Sequence, residues 1–172
     1  MTTSTIAKVA PLPAESQSFL LKRVQPALSG LMDGSLSTLA PIFAVILATH
    51  HPLTAFFTGA ATALGAGVSM AFSEGLSDTG DLTGRGSPVL RGAITGGGTF
   101  AGGIFHTLPF LIPGYGAAIT AAVIVVAAEL LTLAYLRHKF FQTSFARSFV
   151  AVAVGGAIIA SLSAGLGVLA AS

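Results

Sequence analysis

The chain has 172 residues, of which 53% are hydrophobic and only 8% charged, with a net charge of +2 and a mean hydropathy of +0.85. A water-soluble domain of this length needs far more Lys, Arg, Asp and Glu to cover its core, so the composition excludes an ordinary soluble fold and points to a surface that faces lipid. Eight basic residues, two tyrosines and no tryptophan supply neither a dense basic patch nor stacking platforms, which argues against nucleic acid, and the lack of cysteine excludes disulfides, thiolate metal sites and cysteine nucleophiles.

Residues 1–25 read as a cytoplasmic N-terminal segment ahead of a transmembrane domain at 26–172. No apolar run of signal-peptide length precedes Glu15, so the first span is expected to serve as an uncleaved anchor. In SQSFLLKRVQ, at 16–25, Phe19, Leu20 and Leu21 mix with Lys22 and Arg23, a pattern that suits a short interfacial helix lying on the membrane.

Five apolar stretches follow, at 26–49, 53–73, 89–112, 115–136 and 146–170. Each approaches or exceeds the roughly 20 helical residues needed to cross a bilayer. His50-His51-Pro52 and Pro113-Gly114 interrupt helices, and 75–88 is a polar link. The runs are too long, and too little alternating, for barrel strands. The expected fold is therefore all-α, a polytopic membrane protein with five transmembrane helices. Lys8, Lys22 and Arg23 precede the first span, Arg85 and Arg91 flank the link, and Arg137, Lys139 and Arg147 flank the last connection. All eight fall on one side, which the excess of Lys and Arg in cytoplasmic loops makes the cytoplasmic one. The N-terminus is thus expected inside and the C-terminus outside.

The first span begins GLMDGSLSTLAP, placing Asp33 within it, with Ser29, Asp33 and Ser37 at i, i+4, i+8 on one face. A carboxylate inside a span costs roughly 2.5–3.5 kcal/mol on insertion scales and calls for a partner or a wet cavity. Pro41 has no N–H to give the Ser37 carbonyl, so a free carbonyl lies one turn from the aspartate, an arrangement that suits a cation. The second span ends GAGVSMAFSEGLSD, with Met70 and Glu74 at i, i+4. Asp33 and Glu74 are expected to meet near the cytoplasmic side. Carboxylate oxygen together with thioether sulfur favours a borderline first-row ion such as Fe²⁺, with Mn²⁺ or Co²⁺ next, over Mg²⁺ or Ca²⁺. Glu74, Asp78 and Asp81 of the link, set against Arg85, form an acidic mouth that can gather cations.

The 21 glycines, densest in the third and fifth spans, read as helix-packing positions rather than phosphate loops. His106 and Glu129 are the remaining ionisable groups at depth and are candidates for a proton relay. His50 and His51 read as residues of the outer turn. Asp33, Glu74, His106 and Glu129 include no nucleophile and base pair, and nothing suggests a resident cofactor, so the chain is not expected to be an enzyme.

GLMDGS early in the first span, SMAFSE at the end of the second, the GRGSP link and HTLPFLIP of the third, in a chain of five spans, resemble the vacuolar iron transporter family. The likeness is greatest to the membrane half of bacterial membrane-bound ferritins, and it runs over 26–170. The resemblance implies a homodimer in the bacterial inner membrane, with an ion path between subunits that exchanges Fe²⁺ or Mn²⁺ for protons. It also implies Asp33, Met70 and Glu74 as residues of that path. Two departures stand out: eukaryotic relatives insert a cytosolic metal-binding domain where this chain has only its short link, and membrane-bound ferritins carry a ferritin-like domain before the first span. The expected function is proton-coupled export of Fe²⁺ or Mn²⁺ from the cytoplasm. The alternative is a non-transporting membrane scaffold or assembly protein whose glycine-rich third and fifth spans bind partner helices.

Overall fold

The computed structural model describes residues 13–81 and 83–171, and all regular structure within them is helical. Residues 1–12, which carry Lys8 and the stretch expected to lack a leader, lie outside the described part. Helix α1 (Ala14–Phe19) runs through a wide turn at Leu20–Val24 into α2 (Gln25–Thr49), so the lead-in expected as a short interfacial helix is helical and continuous with the first long helix. The cause of the wide turn is Pro26. It cannot donate to the Lys22 carbonyl, and the helix adjusts by letting Gln25 N–H reach Leu20 O, five residues back.

Helix α2 ends at His50, which takes a left-handed conformation and still donates to Ile46 O. Pro52 then opens α3 (Pro52–Ser77), where a missing N–H costs nothing. After the link come α4 (Pro88–Thr107) and one tight turn, Leu108–Leu111, where Pro109 ends the α-helical bonding before the expected boundary at 112. Gly114, at φ +95°, allows the reversal into α5 (Tyr115–Phe141), and α6 (Phe145–Ala171) follows.

Four helical segments are long and apolar enough to cross a membrane: Ala14–Thr49, Pro52–Ser77, Tyr115–Phe141 and Phe145–Ala170. Helix α4 is not among them, because its 20 residues include six glycines and Arg91. It lies between α2 and α3. Gly98 and Gly102 sit on the backbone of α2 at Ala27 and Leu31, while Gly92 and Gly96 sit on α3 at Ala71 and Gly67. The order of these contacts makes α4 parallel to α2 and antiparallel to α3. Helix α5 returns along α2, with Arg137 at Met32 and Glu129 at Ser35, and α6 runs with α2, with Gly156 near Leu36 and Gly167 at Ala44. The five long helices therefore alternate in direction.

Ile42, Ile46, Ala55, Phe110, Ala118 and Ala122 close the end of the bundle next to the His50–His51 turn. Large apolar residues such as Phe57, Leu64, Val68 and Phe72 on α3, and Val154, Ile158, Leu162 and Leu166 on α6, point outward. Such outward apolar faces belong in lipid, where no aqueous surface has to be covered.

Candidate functional site

The sequence-predicted ionisable side chains at or near the bundle interior fall into three groups, each set by the helix that carries it. On α2, Gly30 and Gly34 press against Thr95 and Thr99 of α4, and this contact turns the Ser29, Asp33, Ser37 row away from α4. Ser29 and Ser37 are exposed and Asp33 is half-buried. Among the described residues the Asp33 carboxylate has no hydrogen bond and no ion pair. Pro41 lies inside the same helix, one turn beyond Ser37.

The second group joins α3, the link and α4. Glu74 Oε1 accepts from Arg91 Nε and Arg85 Nη2, both at 2.7 Å. Asp78 is held by Arg85 Nη1 at 3.3 Å, by Arg91 Nη1 at 3.3 Å and by Thr83 Oγ1 at 3.1 Å. Arg91 is only 1% exposed, and it also donates to Ser77 Oγ and to the carbonyls of Glu74 and Asp78, so one guanidinium caps the end of α3. Desolvation pushes the Asp78 carboxyl upward, but bonds from Thr83 and Gly80 and the charges of Arg91 and Arg85 outweigh it and hold the group below the ordinary carboxylate range. Gly80, at φ +85°, packs directly on the backbone of Gly86, a position only glycine fills without strain. Asp81 is exposed.

The third group joins α2, α4 and α5. His106 is 1% exposed, with Nδ1 2.9 Å from Gly102 O and Nε2 3.1 Å from Glu129 Oε2. The other carboxyl oxygen, Oε1, meets Ser35 Oγ, which in turn lies 2.7 Å from Leu31 O. The 3.1 Å approach of His106 to Glu129 has ion-pair length but not hydrogen-bond alignment, which leaves Nε2 and Oε2 without a bonded partner.

Among the sequence-predicted residues, the structure brings Glu129 together with His106, and Glu74 together with Asp78. It joins Asp33 to Glu74 by no hydrogen bond or ion pair. Met70 is half-buried one turn before Glu74. Among the described residues no three of His, Asp and Glu converge as a ready metal-binding group. Sequence reasoning missed Ser35 and the central place of Arg91. An arginine in the first turn of a glycine-rich helix, seventeen positions after Glu74, was the available signal for the latter.

No family model, no curated protein and no solved structure matches this chain.

Proposed function

We propose that the chain is a proton-coupled carrier of a divalent cation, Fe²⁺ or Mn²⁺, of the kind its resemblance to the vacuolar iron transporters and to the membrane domain of bacterial membrane-bound ferritin implies. It works as a homodimer of five-span subunits in the bacterial inner membrane and exports the ion from the cytoplasm. The observation that carries this reading is Asp33. A carboxylate half-buried in an apolar helix, flanked on its own face by exposed Ser29 and Ser37 and bonded to nothing among the described residues, calls for a counter-charge. A cation supplies it. A second copy related by a two-fold axis adds a second Asp33 and the wall that one subunit lacks.

Glu74 joins this path only by exchanging arginine for the ion, so loading a cation there loosens the link that Arg85 and Arg91 hold. Protons and metal compete for the same carboxylate oxygens, which links the movement of one to that of the other. The cytoplasmic N-terminus is supported by the gathering of Lys22 beside Gly86 and of Arg137 beside Met32 at the link end of the bundle. Of the glycines on which the scaffold alternative rests, Gly92, Gly96, Gly98, Gly102 and Gly103 of α4 and Gly156 and Gly167 of α6 meet other helices of the chain, while Gly97, Gly155 and Gly165 face open space.

A thermal-shift titration with Mn²⁺ tests the binding step. Wild-type chain is expected to gain stability with added Mn²⁺ and Asp33→Ala to gain none. Equal shifts in the two proteins would sink the assignment of Asp33.

A further inference from the structure

We propose that Glu129 is a two-sided proton seat, holding one proton that alternates between Ser35 Oγ on α2 and His106 Nε2 on α4. The case is a count of hydrogens. Four polar contacts run in series: Leu31 O to Ser35 Oγ, Ser35 Oγ to Glu129 Oε1, Glu129 Oε2 to His106 Nε2, and His106 Nδ1 to Gly102 O. Each contact needs one hydrogen between its two heavy atoms.

A carbonyl only accepts, so the hydrogen facing Gly102 O belongs to His106 Nδ1, and a neutral imidazole then has a bare Nε2. The single Ser35 hydroxyl hydrogen cannot serve both Leu31 O and Glu129 Oε1. With Glu129 ionised and His106 neutral, two hydrogens serve four contacts, and two lone-pair atoms face each other at 3.1 Å. With both groups protonated all four contacts are filled, but the site carries a net positive charge inside the bundle, which is costly there. One added proton keeps the site neutral and leaves one contact unfilled.

That one proton has two places on the carboxyl, while a third, on His106 Nε2, would leave a separated charge pair inside the bundle, which is costly there. On Oε1 it donates to Ser35 Oγ, whose own hydrogen then turns to Leu31 O. On Oε2 it lies against His106 Nε2, and the Ser35 hydroxyl turns to the carboxyl. The bond geometry fits the first place, because Nε2 and Oε2 are close yet unbonded. Moving the proton from Oε1 to Oε2 reverses the Ser35–Glu129 bond, frees Leu31 O and adds a bond from α5 to α4, so the position of the proton sets whether α5 is tied to α2 alone or to both neighbours.

No other titratable group in the described structure bonds to Glu129. From α4 it meets His106, and from α2 it meets Ser35, while Asp33 lies on another face of α2. Helix α6 packs on α5 at Leu130 through Gly156, and the ionisable residue of α6, Arg147, is exposed at its start. Arg137, two turns further along α5, is turned to Met32 Sδ.

The use of this seat in transport rests on the exchange reading above, whereas its existence is testable without metal. Infrared pH-difference spectra of the full chain in metal-free lipid nanodiscs are expected to contain one buried carboxylic-acid band that is lost in Glu129→Gln and kept in Asp33→Asn. The band is expected to shift in both Ser35→Ala and His106→Gln, since each removes one side of the seat. A band that survives Glu129→Gln, or one that shifts in only one of the two flanking variants, overturns the proposal. A second measurement avoids altering the site: with His50, His51 and His138 replaced by Gln, nitrogen NMR of the remaining His106 is expected to find Nδ1 protonated at every pH and Nε2 unprotonated while Glu129 holds the proton. A bare Nδ1, or an Nε2 that carries the proton, also overturns it. Failure here with intact metal-driven flux removes the seat and leaves the carrier standing, whereas a normal seat without flux does the reverse.

Discussion

Replacing Gly34 by alanine is expected to destabilise the bundle by about 2 kcal/mol, the net of a packing loss and a smaller backbone gain. Here α2 and α4 touch backbone to backbone. A Cβ on Gly34 would overlap the Thr99 carbonyl, standing 2.7 Å from its carbon and 2.9 Å from Gly103 N. These are main-chain atoms inside a helix, so none can rotate away as the tip of a side chain would, and the two helices have to move apart. Overpacking costs about 1–3 kcal/mol, and unyielding neighbours place this site near 3. Alanine returns up to about 1 kcal/mol through its better helix propensity. Gly97→Ala on α4 is the matched control, since nothing lies within 4 Å of its added carbon and only the propensity gain remains. Reversible unfolding in mixed micelles, followed by far-UV circular dichroism, measures both. Equal stability of the two variants would refute close α2–α4 contact as what glycine supplies at this position.

Arg91→Met is expected to cost about 1–3 kcal/mol in the same unfolding measurement, because it removes one of the two arginine partners of Glu74 and the donor to the last carbonyls of α3. Arg91→Met combined with Glu74→Met should recover part of that loss, and strict additivity would show that the two side chains are not coupled. The link should also loosen in acid. Folding lowers the Asp78 pKa from its ordinary 3.8, so its contribution is complete above that value and disappears as pH falls through the lowered one. Amide exchange across the link is expected to rise on that acid limb in wild type and to be fast at all pH in Asp78→Asn; an identical acid response in the two would contradict it. Gly80→Ala should cost more than about 1 kcal/mol, since it forces a side chain into a left-handed conformation against Gly86. Unchanged unfolding of this variant would contradict the turn geometry.

Much of the fold is legible in the sequence because lipid imposes length and apolarity directly. The breaks at His50-His51-Pro52 and Pro113-Gly114 fall where the chain turns, α3 and α5 run a few residues past their expected ends, and α6 ends within one residue of its own. The lead-in is not legible: its mixed residues suit a surface helix, yet nothing but Pro26 intervenes before α2, and a wide turn absorbs that proline without a break. Helix α4 is only half legible, since glycines that close the packing between α2 and α3 also remove the apolar bulk by which a span is recognised. For the polar groups, spacing places residues on faces but does not choose partners. Met70 and Glu74 share a face as expected, while the choice of Arg91 over Asp33 as the partner of Glu74 depends on α4 lying against α3. The pairing of His106 with Glu129 across α4 and α5 likewise depends on how the helices pack, although depth alone singles out both residues.

Coupled flux in reconstituted vesicles tests the proposed function most directly. With Mn²⁺ or Fe²⁺ on one side, a metal-sensing dye and a pH-sensing dye inside, metal entry is expected to drive proton exit in wild type. Asp33→Ala is expected to abolish both signals together. Wild-type vesicles that pass neither ion under a proton gradient of either sign, or an Asp33→Ala protein that carries metal undiminished, would contradict it.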